Sequence, residues 1–140
     1  MKIVYTATAT VTEGRAGGHA RSSDGELDVK LVQPKEMGGP GVGGTNPEQL
    51  FAAGYAACFQ SACRFLARQQ GKAVTTSSAT AHVGIGPRDA GGFALQVSLD
   101  IKLDGISRED AEDIAQKAHA MMCPYSNAVR GNVDVAVKVL

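Results

Sequence analysis

The sequence lacks several features that mark particular classes of protein. It has no Trp, its aromatic content is only 5%, and 14 basic side chains balance 14 acidic ones for a formal net charge of zero. Because no surface of one charge sign is indicated, neither a nucleic-acid footprint nor a polybasic membrane patch is expected. We therefore expect no nucleic acid and no membrane among the partners.

Long apolar segments are also absent. Residues 50–67 are the most apolar region, yet they include Gln60, Ser61 and Arg64, whereas a membrane span needs about 20 largely apolar residues. The N-terminal residues alternate apolar with polar side chains, where an export signal would have one continuous apolar stretch. These two absences predict a cytoplasmic protein.

Cysteine is scarce and odd in number. The chain has three cysteines and no C-x-x-C spacing, which argues against a disulfide scaffold and a zinc knuckle. His119 and Cys123 stand four residues apart, as two metal ligands on a helix can, but no second pair of ligands accompanies them. We expect thiol chemistry in a reducing compartment and no bound metal, flavin or haem.

What is present fits one compact α+β domain over residues 1–140. The chain is 44% hydrophobic and 20% charged, which places it outside the disordered class. Period-two alternation and capping signals predict the element order βββ-α-ββ-α-β. The predicted strands lie at residues 3–12, in a short segment before Ser22, and at 27–31, 79–86, 93–103 and 132–139; the predicted helices begin after Asn46 and Ser107 and end near Gly71 and Cys123.

The first helix is predicted to be long and buried. Asn46 is its N-cap, Pro47 its first residue and Gly71 its stop, so that it runs over about 24 residues or 36 Å. Residues 50–63 are apolar nearly all round, which indicates burial on every side. Because one sheet covers only one side, we predict a homodimer in which a partner subunit covers another.

Two of the cysteines lie on this helix and the third lies elsewhere. Cys58 and Cys63 are five residues apart, about 140° around the helix axis, and therefore point to opposite sides. A buried cysteine is most often an inert apolar side chain, and that interpretation is adopted for Cys63. Cys58 shares a helix stripe with Phe51 and Tyr55, and Cys123 stands before a proline at the end of the second helix.

Two segments centred on Cys58 and Cys123 resemble a known family. They read TNPEQLFAAGYAACF over residues 45–59 and MCPYSNAVRGN over residues 122–132, and an Arg stands in the turn after the first strand. Together they resemble the organic hydroperoxide resistance (Ohr) branch of the OsmC/Ohr family, over nearly the whole chain. The resemblance implies an OsmC-like fold.

The resemblance also implies a thiol peroxidase that reduces organic or lipid hydroperoxides to alcohols. Cys58 would be the peroxidatic residue, forming a sulfenic acid, and Cys123 the resolving residue, forming a disulfide with Cys58. Arg15 matches the family's Arg, whose charge would stabilise the thiolate, and Glu48 matches the carboxylate that holds this Arg by a bidentate contact. No cofactor would be bound, and an external dithiol, dihydrolipoyl groups on a lipoylated protein, would reduce the disulfide.

The separation of Glu48 and Cys58 constrains this arrangement. On an unbroken helix ten residues span about 15 Å, more than one Arg side chain bridges comfortably. Either the helix breaks near Gly54, or Arg15 and Glu48 reach Cys58 of the partner subunit. We favour the second alternative and predict an intertwined homodimer with composite sites.

Two other functions stay open at this point. One is a peroxidase of the sister OsmC branch, with a different peroxide preference. The other is a non-enzymatic module whose helix cleft holds an apolar ligand while the cysteines only pack or sense the redox state. The stretch MCPYSNA favours the Ohr branch.

Overall fold

The strands and α-helices of the structure follow the predicted order with one addition, and a single turn of 3-10 helix lies at Lys35–Met37. The computed structural model describes residues 1–140, whose contacts divide the chain into two compact units, Met1–Leu50 and Phe51–Leu140. The strands and helices are β1 Ala9–Thr12, β2 His19–Ser22, β3 Asp28–Lys30, α1 Pro47–Gln69, β4 Ser77–Pro87, β5 Phe93–Leu103, α2 Arg108–Lys117, α3 Pro124–Val129 and β6 Val135–Val139. The prediction of an α+β fold is confirmed, and the single domain over residues 1–140 stays a prediction.

The first unit contains an antiparallel sheet in the order β1-β2-β3. The predicted strand at residues 3–12 is wrong in its first part, because only Ala9–Thr12 pairs with a neighbour. The partner strand β2 has four residues, so the ladder ends where β2 ends. Ile3, Val4 and Tyr5 are exposed, with no strand beside them in the single chain.

Helix α1 begins and ends where its capping residues predict. Asn46 Oδ1 accepts a 2.9 Å hydrogen bond from the Gln49 backbone N–H. At the other end Gly71 has a φ of +68°, which favours glycine, and the Lys72 N–H closes the last turn on the Ala67 carbonyl at 2.8 Å. The 23-residue helix continues through Gly54, so the alternative of a break at that residue is wrong.

The side chain of Gln49 does not form a capping box with Asn46, although its position three residues after the N-cap would allow one. Its Oε1 accepts a 2.8 Å hydrogen bond from the Thr45 hydroxyl instead of turning back to the Asn46 N–H. The start of α1 is therefore held by two side-chain contacts, one from Asn46 and one from Thr45.

No helix in the chain combines the length and the apolar composition needed to cross a membrane.

The second unit contains a mixed sheet in the order β4-β5-β6. Strands β4 and β5 form the predicted hairpin, with a register that runs from Ser77 opposite Leu103 to Pro87 opposite Phe93. Strand β6 pairs with β5 in parallel, so the chain between them has to cross over, and α2 and α3 lie in that crossover.

The core of this unit lies between α1, α2 and the sheet. The buried side chains of α1 recur at helical spacing and pack with those of β5 and α2. These α1 residues are Tyr55, Phe59, Ala62, Cys63, Leu66 and Ala67.

The opposite side of α1 is exposed in the single chain. Ala53, Ala57, Ser61 and Phe65 form a stripe with four-residue spacing, and Phe65 is 47% exposed. The expected burial on every side is therefore not present in one chain, because the sheet and α2 pack against the other side of the helix. A partner subunit over this stripe stays a prediction.

The segment after α2 contains the element that the sequence reasoning missed. Ser107 caps α2 as predicted, its Oγ accepting from the Asp110 N–H at 3.1 Å. A wide turn over residues 118–122 follows α2, and then α3 begins with Pro124 as its first residue. Six residues are too few for a hydrophobic period, so only the proline signalled this helix.

The N-cap of α1 gives a test of this fold. We expect Asn46→Ala to lower the free energy of unfolding by about 1 kcal/mol, because the Gln49 N–H loses its acceptor. Urea denaturation measures the change. Asn46→Asp keeps an acceptor at the same place and serves as the control, so an equal loss in both variants would contradict the capping role.

Candidate active site

Two thiols from different elements meet in the second unit. Cys58 lies in the middle of α1 and Cys123 immediately before α3, 65 residues apart in the sequence. Their sulfur atoms are 3.4 Å apart, with the Cys123 thiol donating to the Cys58 sulfur, and both cysteines are free. Cys123 is 1% exposed and Cys58 is partly buried, so the pair is reached from the Cys58 side.

The chain turns sharply to bring Cys123 to this position. Its backbone N–H closes the wide turn on the Ala118 carbonyl at 2.9 Å, and its own φ and ψ of −77° and 116° are extended. Pro124 disfavours a helical conformation at the preceding residue, and Cys123 therefore stands at the break between two helical segments. The Ser126 N–H then donates to the Cys123 sulfur at 3.5 Å.

Burial makes Cys58 a weak acid in this environment. It raises the pKa of the Cys58 thiol above its ordinary value, the backbone N–H of Tyr125 opposes that shift, and the neighbouring Cys123 raises the pKa further. The resemblance implied a stabilised thiolate, and these surroundings favour the neutral thiol. A stabilised thiolate at Cys58 therefore requires a nearby cation.

Cys63 is not part of this thiol pair. It is completely buried in the core, and that burial raises its pKa to about 12. A thiol with such a pKa is almost never ionised at neutral pH. The interpretation of Cys63 as an inert core residue agrees with this environment.

A buried hydrogen-bond network lies behind the two thiols. Tyr55 donates its hydroxyl proton to Ser126 Oγ at 2.9 Å, and Ser126 Oγ lies 3.0 Å from His119 Nδ1. Ser126 is the only polar residue that the chain buries completely. Sequence reasoning missed Ser126, because a serine in a short segment carries no periodic signal.

His119 belongs to this network. Its spacing from Cys123 resembles that of two metal ligands on a helix, but its Nδ1 is hydrogen-bonded to Ser126 Oγ. Burial lowers the pKa of His119, and the nearby Arg130 lowers it further. Arg130 also ties the wide turn, since its guanidinium donates to the backbone carbonyls of His119 and Ala120 at 2.8 and 2.7 Å.

Three aromatic rings pack beside the thiol pair. The ring centroids of Phe51 and Tyr55 are 6.0 Å apart in an edge-on arrangement, and the Tyr125 ring lies 5.7 Å from Tyr55 and 6.2 Å from Phe51. Tyr125 lies close against α1 at Gly54, where a Cβ would come within 3.0 Å of the Tyr125 hydroxyl. The absence of a side chain at Gly54 therefore leaves room for the Tyr125 ring to cross the helix.

A charged pair lies in the first unit. Arg15 stands in the turn between β1 and β2, and its guanidinium donates to both carboxylate oxygens of Glu48 at 3.1 and 2.9 Å. A side chain at Gly18 would collide with the carbonyl oxygens of Thr12 and Gly14, so this turn requires glycine there. Glu48 lies in the first turn of α1, which favours an acidic side chain.

The pair is electrostatically matched and partly shielded from water. The Arg15 guanidinium holds the pKa of Glu48 below its ordinary value, although burial opposes the shift. Arg15 also lies 3.5 Å from the sulfur of Met37. The bidentate contact between Arg15 and Glu48 is therefore present as the resemblance implied, and the catalytic roles of these two residues stay predictions.

The chemistry open to the thiol pair follows from the sulfur separation. Two thiols in contact need only a short approach, from 3.4 Å to about 2.05 Å, to form a disulfide. Oxidation of either sulfur to a sulfenic acid would place an electrophile beside a thiol. The arrangement is therefore suited to two-electron thiol redox chemistry.

The comparisons with known proteins agree with this fold. A protein-family model described as OsmC-like protein matches residues 38–138, a range that contains Cys58 and Cys123. The organic hydroperoxide resistance protein of Xanthomonas axonopodis pv. citri (strain 306) is 50% identical over 137 residues, covering 97% of this chain and 94% of that protein.

Two solved structures extend the similarity to three dimensions. The crystal structure of an organic hydroperoxide resistance protein from Legionella pneumophila has a TM-score of 0.92 at 46% identity, covering 99% of this chain and 98% of that one. The crystal structure of the organic hydroperoxide resistance protein OhrB from Bacillus subtilis has a TM-score of 0.89 at 42% identity, and the match covers 99% of this chain and 100% of that one. The chain therefore belongs to the OsmC/Ohr family, in its organic hydroperoxide resistance branch, as the two cysteine segments indicated.

The pair of Arg15 and Glu48 predicts a pH dependence of stability. Because the pKa of Glu48 is lowered in the folded protein, the pair stabilises the fold fully above about pH 4.3, the ordinary value for glutamate. That contribution is lost as the pH falls from there through the folded pKa. We expect Glu48→Gln to be less stable than the wild type at pH 7 and the difference to shrink below pH 4.

Chemical denaturation at a series of pH values measures this difference. Glu26→Gln, which removes an exposed carboxylate from another turn of the same unit, is the control and should show little difference at any pH. A stability loss in Glu48→Gln that is the same at pH 3 and pH 7 would contradict the charged contribution.

Proposed function

We propose that this chain is a thiol-dependent peroxidase that reduces organic hydroperoxides to alcohols. The observation that carries the proposal is the 3.4 Å contact between the sulfurs of Cys58 and Cys123. Membership of a branch whose members are named for organic hydroperoxide resistance supports this substrate class. Of the three clustered rings, those of Phe51 and Tyr125 keep exposed surface, which suits an organic group better than a small polar one.

In the first step the Cys58 thiolate attacks the outer oxygen of the hydroperoxide. A sulfur–oxygen bond forms, the oxygen–oxygen bond breaks, and the departing alkoxide takes a proton to leave as the alcohol. The sulfur loses two electrons, which reduce the peroxide. Cys58 is then a sulfenic acid.

In the second step the Cys123 sulfur attacks the sulfur of that sulfenic acid. The disulfide bond forms, the sulfur–oxygen bond of Cys58 breaks, and the hydroxide leaves as water with the Cys123 thiol proton. The hydrogen bond from Cys123 to Cys58 points the resolving sulfur at its target before the reaction begins. Because the Cys123 sulfur already contacts the Cys58 sulfur, it reacts with the sulfenic acid before any external thiol can.

The first step needs a cation, because burial raises the pKa of Cys58. We assign this cation to Arg15, whose guanidinium keeps its charge at any working pH and has donors free for a peroxide oxygen. Glu48 would hold the guanidinium in a fixed orientation through the bidentate contact.

We further propose that Arg15 serves Cys58 of the partner subunit in a homodimer. Helix α1 is unbroken between Glu48 and Cys58, which separates them by about 15 Å along the axis. The exposed stripe of Ala53, Ala57, Ser61 and Phe65 supplies a side of α1 that a second subunit would cover.

An external dithiol closes the cycle. Its thiolate attacks one sulfur of the Cys58–Cys123 disulfide, and its second thiol displaces the protein from the mixed disulfide. The two electrons that reduced the peroxide are thereby replaced. We propose dihydrolipoyl groups on a lipoylated protein as this dithiol, with no cofactor bound to the chain itself.

Thiol counting tests the peroxidase directly. One equivalent of an alkyl hydroperoxide should reduce the free thiols from three to one per chain, because Cys63 alone remains. Peptide mapping should then find Cys58 linked to Cys123. Cys58→Ser should abolish peroxide consumption, and Cys63→Ala, its matched control, should retain it.

Three intact thiols after treatment, with no loss of peroxide, would instead favour the non-enzymatic module. An alkyl hydroperoxide and hydrogen peroxide should be compared in the same assay. A clear preference for the organic substrate is expected from the apolar rings beside the thiols.

The composite site is tested by mixing two inactive variants. We expect Cys58→Ser and Arg15→Ala to be nearly inactive alone, and a refolded equimolar mixture to recover about one quarter of the wild-type activity. Half of the dimers are then mixed, and each has one site with both residues intact. If Arg15 and Cys58 act within one chain, the mixture stays as inactive as its components.

A further inference from the structure

The buried hydroxyl of Ser126 has no part in the mechanism above, although the backbone N–H of the same residue contacts the Cys123 sulfur. The side chain is completely buried, and a buried hydroxyl is stabilising only when its hydrogen bonds are made. Ser126 makes two, one to Tyr55 and one to His119, at 2.9 and 3.0 Å. Removing this hydroxyl would take a hydrogen-bond partner from the buried Tyr55 hydroxyl and from the partly buried His119 ring.

The network has a direction that follows from its donors and acceptors. Ser126 Oγ accepts the Tyr55 proton, and the neighbour left to accept its own proton is His119 Nδ1. The ring proton of His119 is then on Nε2. Each of the three side chains is thus held in one orientation by the next.

The network joins the three segments that carry the thiols. Tyr55 is on α1, three residues before Cys58; His119 is in the wide turn, four residues before Cys123; and Ser126 is in the first turn of α3. The backbone N–H of Ser126 donates to the Cys123 sulfur at 3.5 Å. One residue therefore holds the resolving sulfur through its backbone and the peroxidatic helix through its side chain.

We propose that Ser126 is a positioning residue for the resolving step, which keeps the Cys123 sulfur aligned with Cys58 through the Tyr55–Ser126–His119 network. The inference rests on the proposed peroxidase function. In that step the Cys123 sulfur forms the disulfide bond while the Cys58 sulfur–oxygen bond breaks, and the leaving hydroxide becomes water. Because the new bond forms only along one direction of approach, a small displacement of Cys123 slows it. The attack on the peroxide uses Cys58 and the Arg15 cation but not the Cys123 sulfur, so it does not depend on this alignment.

A single-turnover experiment separates the two steps. The reduced full-length protein is mixed with an alkyl hydroperoxide, and quenched samples are analysed by mass spectrometry for Cys58 sulfenic acid and for the disulfide. In Ser126→Ala we expect sulfenic acid formation within about twofold of the wild type and disulfide formation slower by about tenfold or more. With excess peroxide, Cys58 sulfinic acid should accumulate, because the sulfenic acid persists long enough to react again.

Two further variants separate positioning from stability. Tyr55→Phe keeps the aromatic ring and removes only the hydrogen bond to Ser126, so it should slow disulfide formation in the same sense but less. Val97→Ala removes buried volume from β5 without touching the network and should leave the ratio of the two rates unchanged. If Ser126→Ala does not fold, Tyr55→Phe decides the question.

The ratio of the rate of disulfide formation to the rate of sulfenic acid formation decides the outcome. A fall of less than about threefold in Ser126→Ala, or an equal slowing of both steps, rejects the role of Ser126, and a larger fall supports it. A wild-type protein that consumes no hydroperoxide would reject the proposed function itself. The two failures are therefore distinguishable.

Discussion

The contact between the sulfurs of Cys58 and Cys123 depends on the turn of the chain between α2 and α3. The wide turn over residues 118–122 ends α2, and Pro124 starts a new helix, so that Cys123 stands alone in an extended conformation between them. A continuous helix would carry residue 123 onward along the axis of α2. The break instead directs its thiol at α1, where Cys58 lies 3.4 Å away.

Burial has two opposite effects at this site. It keeps the Cys123 sulfur away from water and against its partner, and it disfavours the thiolate that a nucleophilic Cys58 requires. The second unit supplies only the Tyr125 backbone N–H to oppose this effect. The bidentate pair of Arg15 and Glu48 lies in the first unit. In the proposed mechanism the second unit thus carries the thiols and the first unit carries the charged pair.

Local patterns predicted the elements whose signals are local. The alternation around residues 93–103 gave β5 with its observed limits, and the caps Asn46 and Ser107 marked the starts of α1 and α2. Two of the failures share one cause, because each concerns a partner distant in the sequence. Residues 3–8 alternate as a strand does but have no strand to pair with, and the apolar stripe of α1 is exposed because the sheet lies on its other side.

The sequence by itself determined the order of the strands and of the two longer helices, the family, and which two thiols and which charged pair to consider, since motifs and periodicities are properties of neighbouring residues. Only the tertiary structure decided that Cys58 and Cys123 touch across 65 residues, and that Ser126 joins α1 to the wide turn through one buried hydroxyl. It also decided that the pKa of Cys58 is raised. Contacts, burial and hydrogen-bond partners arise from segments far apart in the chain, and no local pattern encodes the distance between them.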